Sequence, residues 1–180
     1  MNYKKTSFNG LKYYSYNDYL KRFTWAIVKP LWHFSPRYFW FWRNFLLNSF
    51  GAKISKGVRI YPSCKISQPW NLEIKKNTTI AWSTILYCLG EVKIGEGVTI
   101  SQGAHICAGT HDIEKQDFKL LKKTINIGNN VWVASEAFIG PGVTIGNFAV
   151  IGARAVITKS ISTNSVVAGN PAKIIKFRNL

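Results

Sequence analysis

The sequence predicts a parallel β-helix, a triangular prism of very short strands, preceded by an aromatic, helical extension. Three observations predict it. Aliphatic residues recur every six positions, every break in that rhythm falls at the same point of the cycle, and the composition changes abruptly near residue 51.

The rhythm runs through Ile54, Ile60 and Ile66, then Ile74, Ile80 and Leu86, then Ile94, Ile100 and Ile106. It resumes at Ile127 and continues through Val133, Ile139, Ile145, Ile151 and Ile157. Four residues after most of these comes a smaller side chain, such as Cys64, Thr78, Thr84, Ala104, Ala137, Ala149 or Ala155; Trp70, Gly90 and Ile161 depart from the rule. A period of six is neither the helical 3.6 nor the simple strand period of 2. It fits strands separated by tight turns, with one large and one small side chain of each hexad pointing inward. Three hexads close one coil, and coils stack about 4.8 Å apart, the spacing of paired strands. No single coil buries its own face, so the repeat must stack to fold.

Ile54 to Ile74 and Ile74 to Ile94 each span 20 residues, and Ile94 to Ile127 spans 33. Each break therefore lies between the third hexad of one coil and the first hexad of the next, at one corner of the prism. The longest leaves directly after His111 and predicts a flap over residues 112–126, with His111 as the last residue of its coil. Loops on a rigid scaffold are where binding and catalytic groups concentrate. The predicted boundaries are an extension over 1–51, a β-helix over 52–168 and a tail over 169–180 that leaves the prism.

In the extension, Ser35-Pro36 reads as a helix start and Gly51 as a stop, predicting a helix over 36–50. Asn17 or Asp18 would cap an earlier helix running toward Lys29-Pro30. Seventeen of the 26 aromatic residues precede Gly51, and residues 1–60 hold eleven Lys or Arg against one acid, Asp18. Two roles follow: covering the first coil, and contact with an anionic membrane face, where such aromatic and basic mixtures sit.

The net charge of +16 favours anionic partners. No recognised nucleic-acid motif accompanies it, so nucleic acid is not expected. The three cysteines form no CxxC pair, and together with a start lacking an apolar signal core they predict a cytoplasmic protein, with peripheral contact at the inner face of the cell membrane as the expectation from the extension. No apolar run is long enough to span a bilayer. Of the three histidines only His105 and His111 lie in the repeats, so a three-histidine zinc site would need His33 to reach them, and no metal is expected.

The stretches "WRNFLLNSFGAKI", "PWNLEI", "GTHD", "IGNNVWVASEAFIGPGVTIG" and "VVAGNPAKIIKFR" resemble the hexapeptide-repeat acetyltransferases. Within that superfamily they look like those of colanic acid and other exopolysaccharide biosynthesis, and they are also similar to the galactoside, maltose and nodulation-factor O-acetyltransferases. The resemblance implies a left-handed coil, a homotrimer with active sites between subunits, and acetyl-CoA as co-substrate with no metal. It implies that His111 is the general base for a saccharide hydroxyl, with Asp112 fixing the imidazole tautomer. Trp132, Ser135 and the backbone at Ala153 would line the thioester and pantetheine, and Thr158, Lys159 and Lys176 the nucleotide end. Ser83 stands where galactoside-type relatives place an acceptor-binding asparagine. Two readings compete: acetyl transfer to an amino-sugar nitrogen or a small molecule, and a non-catalytic β-helix scaffold at the membrane surface.

Overall fold

Each hexad forms two or three residues of strand and then a tight turn, because its aliphatic and small positions can both point inward only if the chain bends between them. A computed structural model describes residues 14–180. The first thirteen residues of the predicted extension, with their share of the expected membrane contact, lie outside the described residues.

The strands stack in three parallel faces. The first face holds Lys53–Ile54, Leu72–Ile74, Val92–Ile94, Ile125–Ile127 and Thr144–Ile145. The second holds Arg59–Ile60, Thr79–Ile80, Thr99–Ile100, Trp132–Val133, Val150–Ile151 and Ser165–Ala168. The third holds Lys65–Ile66, Ile85–Tyr87, His105–Cys107, Phe138–Ile139 and Val156–Ile157. The aliphatics sit directly above one another, as in Ile80 on Ile100 and Ile100 on Val133. They fill the axis: Ile60, Ile74, Ile80, Leu86, Ile100, Ile106, Ile139 and Ile151 are wholly buried, as are the small partners Ala104, Ala137, Ala149 and Ala155. The buried hydroxyl of Thr78 donates to the Gly95 carbonyl at 2.8 Å, and that of Thr84 to the Ala81 carbonyl at 2.9 Å, so neither is an unmet polar group. Where glycine follows the aliphatic, coils approach too closely for a side chain. A Cβ at Gly95 would fall 2.6 Å from the Gly128 carbonyl.

The breaks all lie between the third and first faces, at one corner, as the phase counting requires. The long one is a hairpin: Gly109–His111 pairs antiparallel with Leu120–Lys122, His111 opposite Leu120. This corrects the expected limits. The coil strand ends at Cys107, so His111 stands in the first strand of the flap, and Ile125–Ile127 has already rejoined the first face beside Val92–Ile94. The expected free tail is also corrected. Lys173–Phe177 folds back antiparallel onto Ser165–Ala168 and covers the last edge of the second face.

Two helices precede the coils, α1 (Tyr16–His33) and α2 (Trp40–Ser49). The α1 cap is Ser15 rather than Asn17 or Asp18. Its Oγ accepts from the Asp18 N–H at 3.2 Å, and the Asp18 carboxylate accepts from the Ser15 N–H at 3.0 Å, a closed capping box. The helix passes through Pro30 to His33, because Trp32 is buried against the prism and His33 bonds the Pro62 carbonyl at 2.8 Å. The second helix starts four residues later than Ser35-Pro36 suggests. Arg43, wholly buried, draws the intervening backbone to itself: Nη1 donates to the Pro36 carbonyl at 2.9 Å and to Ser35 Oγ at 2.7 Å, and Nη2 to the Arg37 carbonyl. Gly51 ends α2 with φ +85°, a conformation that favours glycine.

These helices cap the first coil, whose strands have no coil beneath them. Side chains supply what a coil would have supplied. Arg43 Nε donates to the Ile60 carbonyl at 2.7 Å, Asn44 to Val58 at 2.9 Å, Asn48 to Ile54 at 3.4 Å, and Trp25 Nε1 to Ile66 at 2.9 Å. Leu46 and Leu47 join the core cluster that fills the prism.

Candidate active site

The flap is a short, self-braced hairpin. The Asp112 N–H donates to the Lys119 carbonyl at 2.8 Å and the Phe118 N–H to the Lys115 carbonyl at 3.0 Å. At its root Gly109 lies against Leu89, with no room for a side chain: a Cβ there would be 2.6 Å from Leu89 Cδ1. This packing fixes the strand that carries His111.

The His111 ring is exposed, and its Nδ1 lies 2.5 Å from the Phe118 carbonyl oxygen. A carbonyl only accepts, so Nδ1 carries the hydrogen. The neutral ring then presents its lone pair at Nε2, the nitrogen the flap leaves free for a proton. Asp112, expected to set the tautomer, is turned elsewhere: its Oδ1 accepts from the Glu114 N–H at 3.2 Å and braces the turn. The Phe118 carbonyl orients the imidazole instead. A backbone carbonyl seven residues away leaves no mark in a sequence motif, so the positioning group was not legible there.

Trp132 lies on the second face with its ring half exposed, and its Nε1 donates to Ser101 Oγ at 3.0 Å. Ser135 and Ala153 occupy successive turns between the second and third faces, and the Ser135 carbonyl accepts from the Arg154 N–H at 2.9 Å. Ser135 and Ala153 therefore line up in adjacent coils at the edge of the face that carries Trp132. Thr158 and Lys159 are exposed beyond the last strand of the third face, and Lys176 is exposed on the returning terminal strand. Ser83 is exposed in the turn between the second and third faces, at φ 58°, with its N–H donating to Ser63 Oγ at 3.0 Å.

Within one chain the structure does not bring His111 to this line. The histidine leaves the corner between the third and first faces, and the second face, with Trp132, lies across the prism from that corner. The other histidines are accounted for locally. His105 points outward on the third face, edge-on to Phe138 at 5.4 Å, and burial lowers its pKa. Among the described residues no three His, Cys, Asp or Glu side chains converge to hold a metal.

One cluster beside the flap was missed. Tyr14, just before α1, lies between that helix and the returning flap strand: Lys122 Nζ lies 4.8 Å and the Arg22 guanidinium 4.4 Å from its ring centre. A contact between groups more than a hundred residues apart in the chain has no local sequence signal.

The described residues thus form a hexad β-helix whose longest insertion is a flap that carries His111 on its first strand. The bacterial transferase hexapeptide family (six repeats) matches residues 124–159. WcaF of Escherichia coli K12, named as a colanic acid biosynthesis acetyltransferase, is 43% identical over 154 residues, covering 86% of this chain and 85% of its own. The crystal structure of a maltose O-acetyltransferase from Clostridium difficile 630 matches with TM-score 0.83 and 26% identity, over 93% of this chain and 92% of that one. A galactoside acetyltransferase in complex with coenzyme A matches with TM-score 0.81 and 27% identity, over 89% and 82%. The chain belongs to the hexapeptide-repeat acetyltransferases.

Proposed function

We propose that the protein transfers the acetyl group of acetyl-CoA directly to a saccharide hydroxyl, in the assembly of an exopolysaccharide or other envelope glycan. The observation that carries this reading is the His111 ring, pinned through Nδ1 by the Phe118 carbonyl with Nε2 free. Nε2 takes the proton of the sugar hydroxyl as its oxygen bonds the acetyl carbon. The carbon–sulfur bond breaks, and the departing CoA thiolate receives the proton from the imidazolium. Atoms and charge balance with no metal and no acyl-enzyme.

The separation of His111 from Trp132 supports a homotrimer whose sites lie between subunits, the flap of one copy meeting the second face of its neighbour. On this reading Trp132, Ser135 and Ala153 line the thioester and pantetheine, Thr158, Lys159 and Lys176 hold the phosphate-bearing end, and Ser83 contacts the acceptor. Asp112 serves the catalyst indirectly by bracing the flap turn. The enzyme acts in the cytoplasm, where acetyl-CoA is made, in peripheral contact with the membrane through its N-terminal segment.

The test is a melting-temperature titration with acetyl-CoA, with dephospho-CoA as control. A ligand that binds only the folded state stabilises it by about 2.7 kcal/mol at a hundredfold excess over Kd. A saturable upward shift is expected, together with a 10²- to 10⁴-fold loss of turnover in His111→Ala at unchanged acetyl-CoA shift, the usual scale for general-base removal, roughly. No shift up to millimolar acetyl-CoA in a folded protein sinks the proposal.

A further inference from the structure

We propose that the outward side of α1 seats the enzyme on the surface of an anionic lipid bilayer. This deepens the membrane contact proposed above and is independent of acetyl transfer. The surface is a stripe of Tyr16, Leu20, Phe23, Ile27 and Leu31, continued by Phe34 just past the helix end, with exposures between 52% and 89%. The spacing of three and four places them along one side of the helix. Trp25 and Trp32, on the opposite side, are 2% exposed and hold the helix to the prism.

A helix resting on a core ordinarily turns polar residues to water. Here the order is reversed, with both sides apolar and the cations on the flanks that lean toward the prism. Lys21 Nζ lies 5.8 Å from the Trp70 ring centre, and the Arg22 guanidinium packs on Tyr14. The outermost strip therefore carries no charge. An 18-residue helix offers about 27 Å of such surface. Among the described residues no helix is long and apolar enough to cross a membrane, so the contact is in-plane.

Charge selects the occupant. Over residues 14–65 Lys and Arg outnumber acids nine to one. An apolar strip bordered by cations matches anionic headgroups over acyl chains, the rings and aliphatics entering the interface and the cations staying at phosphate level. A second copy is a poor match. Stripe against stripe, two copies would bring together the nine Lys and Arg of residues 14–65 from each chain with a single acid apiece, Asp18, which already closes the α1 cap.

The test is flotation of the full-length protein with phosphatidylcholine vesicles, with and without about 30 mol% phosphatidylglycerol. The protein should float with the anionic vesicles, and less as salt rises. Phe23→Glu with Ile27→Glu should cut partitioning about tenfold or more, and Phe23→Ser alone should cut it partially. Solution mass and the acetyl-CoA melting shift should stay unchanged in both. Failure of the unaltered protein to float, or equal flotation of the double variant, overturns the proposal. A fall in solution mass in the variants also overturns it, by assigning the stripe to a contact between copies. Loss of the acetyl-CoA shift in the unaltered protein would count against the acetyltransfer reading and not against this one.

Discussion

The coils and the helical layer are held by opposite means. A coil is stabilised by repetition: the same aliphatic over the same aliphatic, with backbone bonds passing from each coil to the next. The helical layer is stabilised by single, unrepeated side chains. Trp25, His33, Arg43, Asn44 and Asn48 each meet a particular backbone carbonyl of the first coil. A repeat spreads the effect of a change over its neighbours, whereas a cap concentrates it in one residue.

The sharpest way to break this contrast is Ile100→Ala, beneath Val133 and above Ile80. Removing a fully buried isoleucine side chain from a stacked core should cost about 3–4 kcal/mol and lower one cooperative transition without dividing it. Denaturant unfolding followed by two probes checks this, and separated transitions would mean that the coils do not act as a unit. Next is Arg43→Leu, which leaves several carbonyls without their donor and should cost about 2–3 kcal/mol. Its loss should be local. Amide exchange should accelerate across α1 and α2 while the strands from Thr79–Ile80 onward keep their protection; uniform acceleration would erase the distinction between layer and coils.

Gly51→Ala tests the joint between the two regions. Its φ of +85° is unfavourable for an L side chain, and a Cβ there would lie 3.3 Å from Trp70 Cβ. A loss of about 1–2 kcal/mol in urea unfolding is expected. The smallest effect belongs to His105. Burial lowers its folded pKa below the ordinary 6.5. Below 6.5 the unfolded chain therefore binds more protons than the folded one, so His105 weakens the fold as pH falls through that range and has no effect above it. The urea midpoint measured from about pH 8 to about pH 5 should fall less in His105→Gln than in the unaltered protein.

The sequence exposed what is repeated and concealed what is singular. The hexads located the faces, the inward residues and the corner from which the flap leaves, because periodicity projects directly onto a stacked fold. The break in the rhythm singled out His111, and the structure puts it on the flap. The partner of its Nδ1 stayed hidden, since a backbone carbonyl has no residue identity. Pro30 read as a helix limit because local propensity counts its missing N–H and cannot count a buried Trp32 a turn away. Ser35-Pro36 read as a helix start because nothing in the local pattern shows that Arg43 claims those carbonyls. The returning strand Lys173–Phe177 read as a departing tail because its five residues are all exposed and carry no inward position.

The capped ends give the prism the character of a ruler. The base is matched to one particular coil by donors that fit its carbonyls, and the far edge is closed by the returning strand. Between them every rung is interchangeable in kind. Length can therefore be altered only in the middle. One further coil placed between the flap and Val150–Ile151 would carry the terminal strand away from His111 by about 4.8 Å while both closures stayed intact. The span between His111 and the last cations is set in whole rungs, and a lineage or a designer can lengthen it only by such steps.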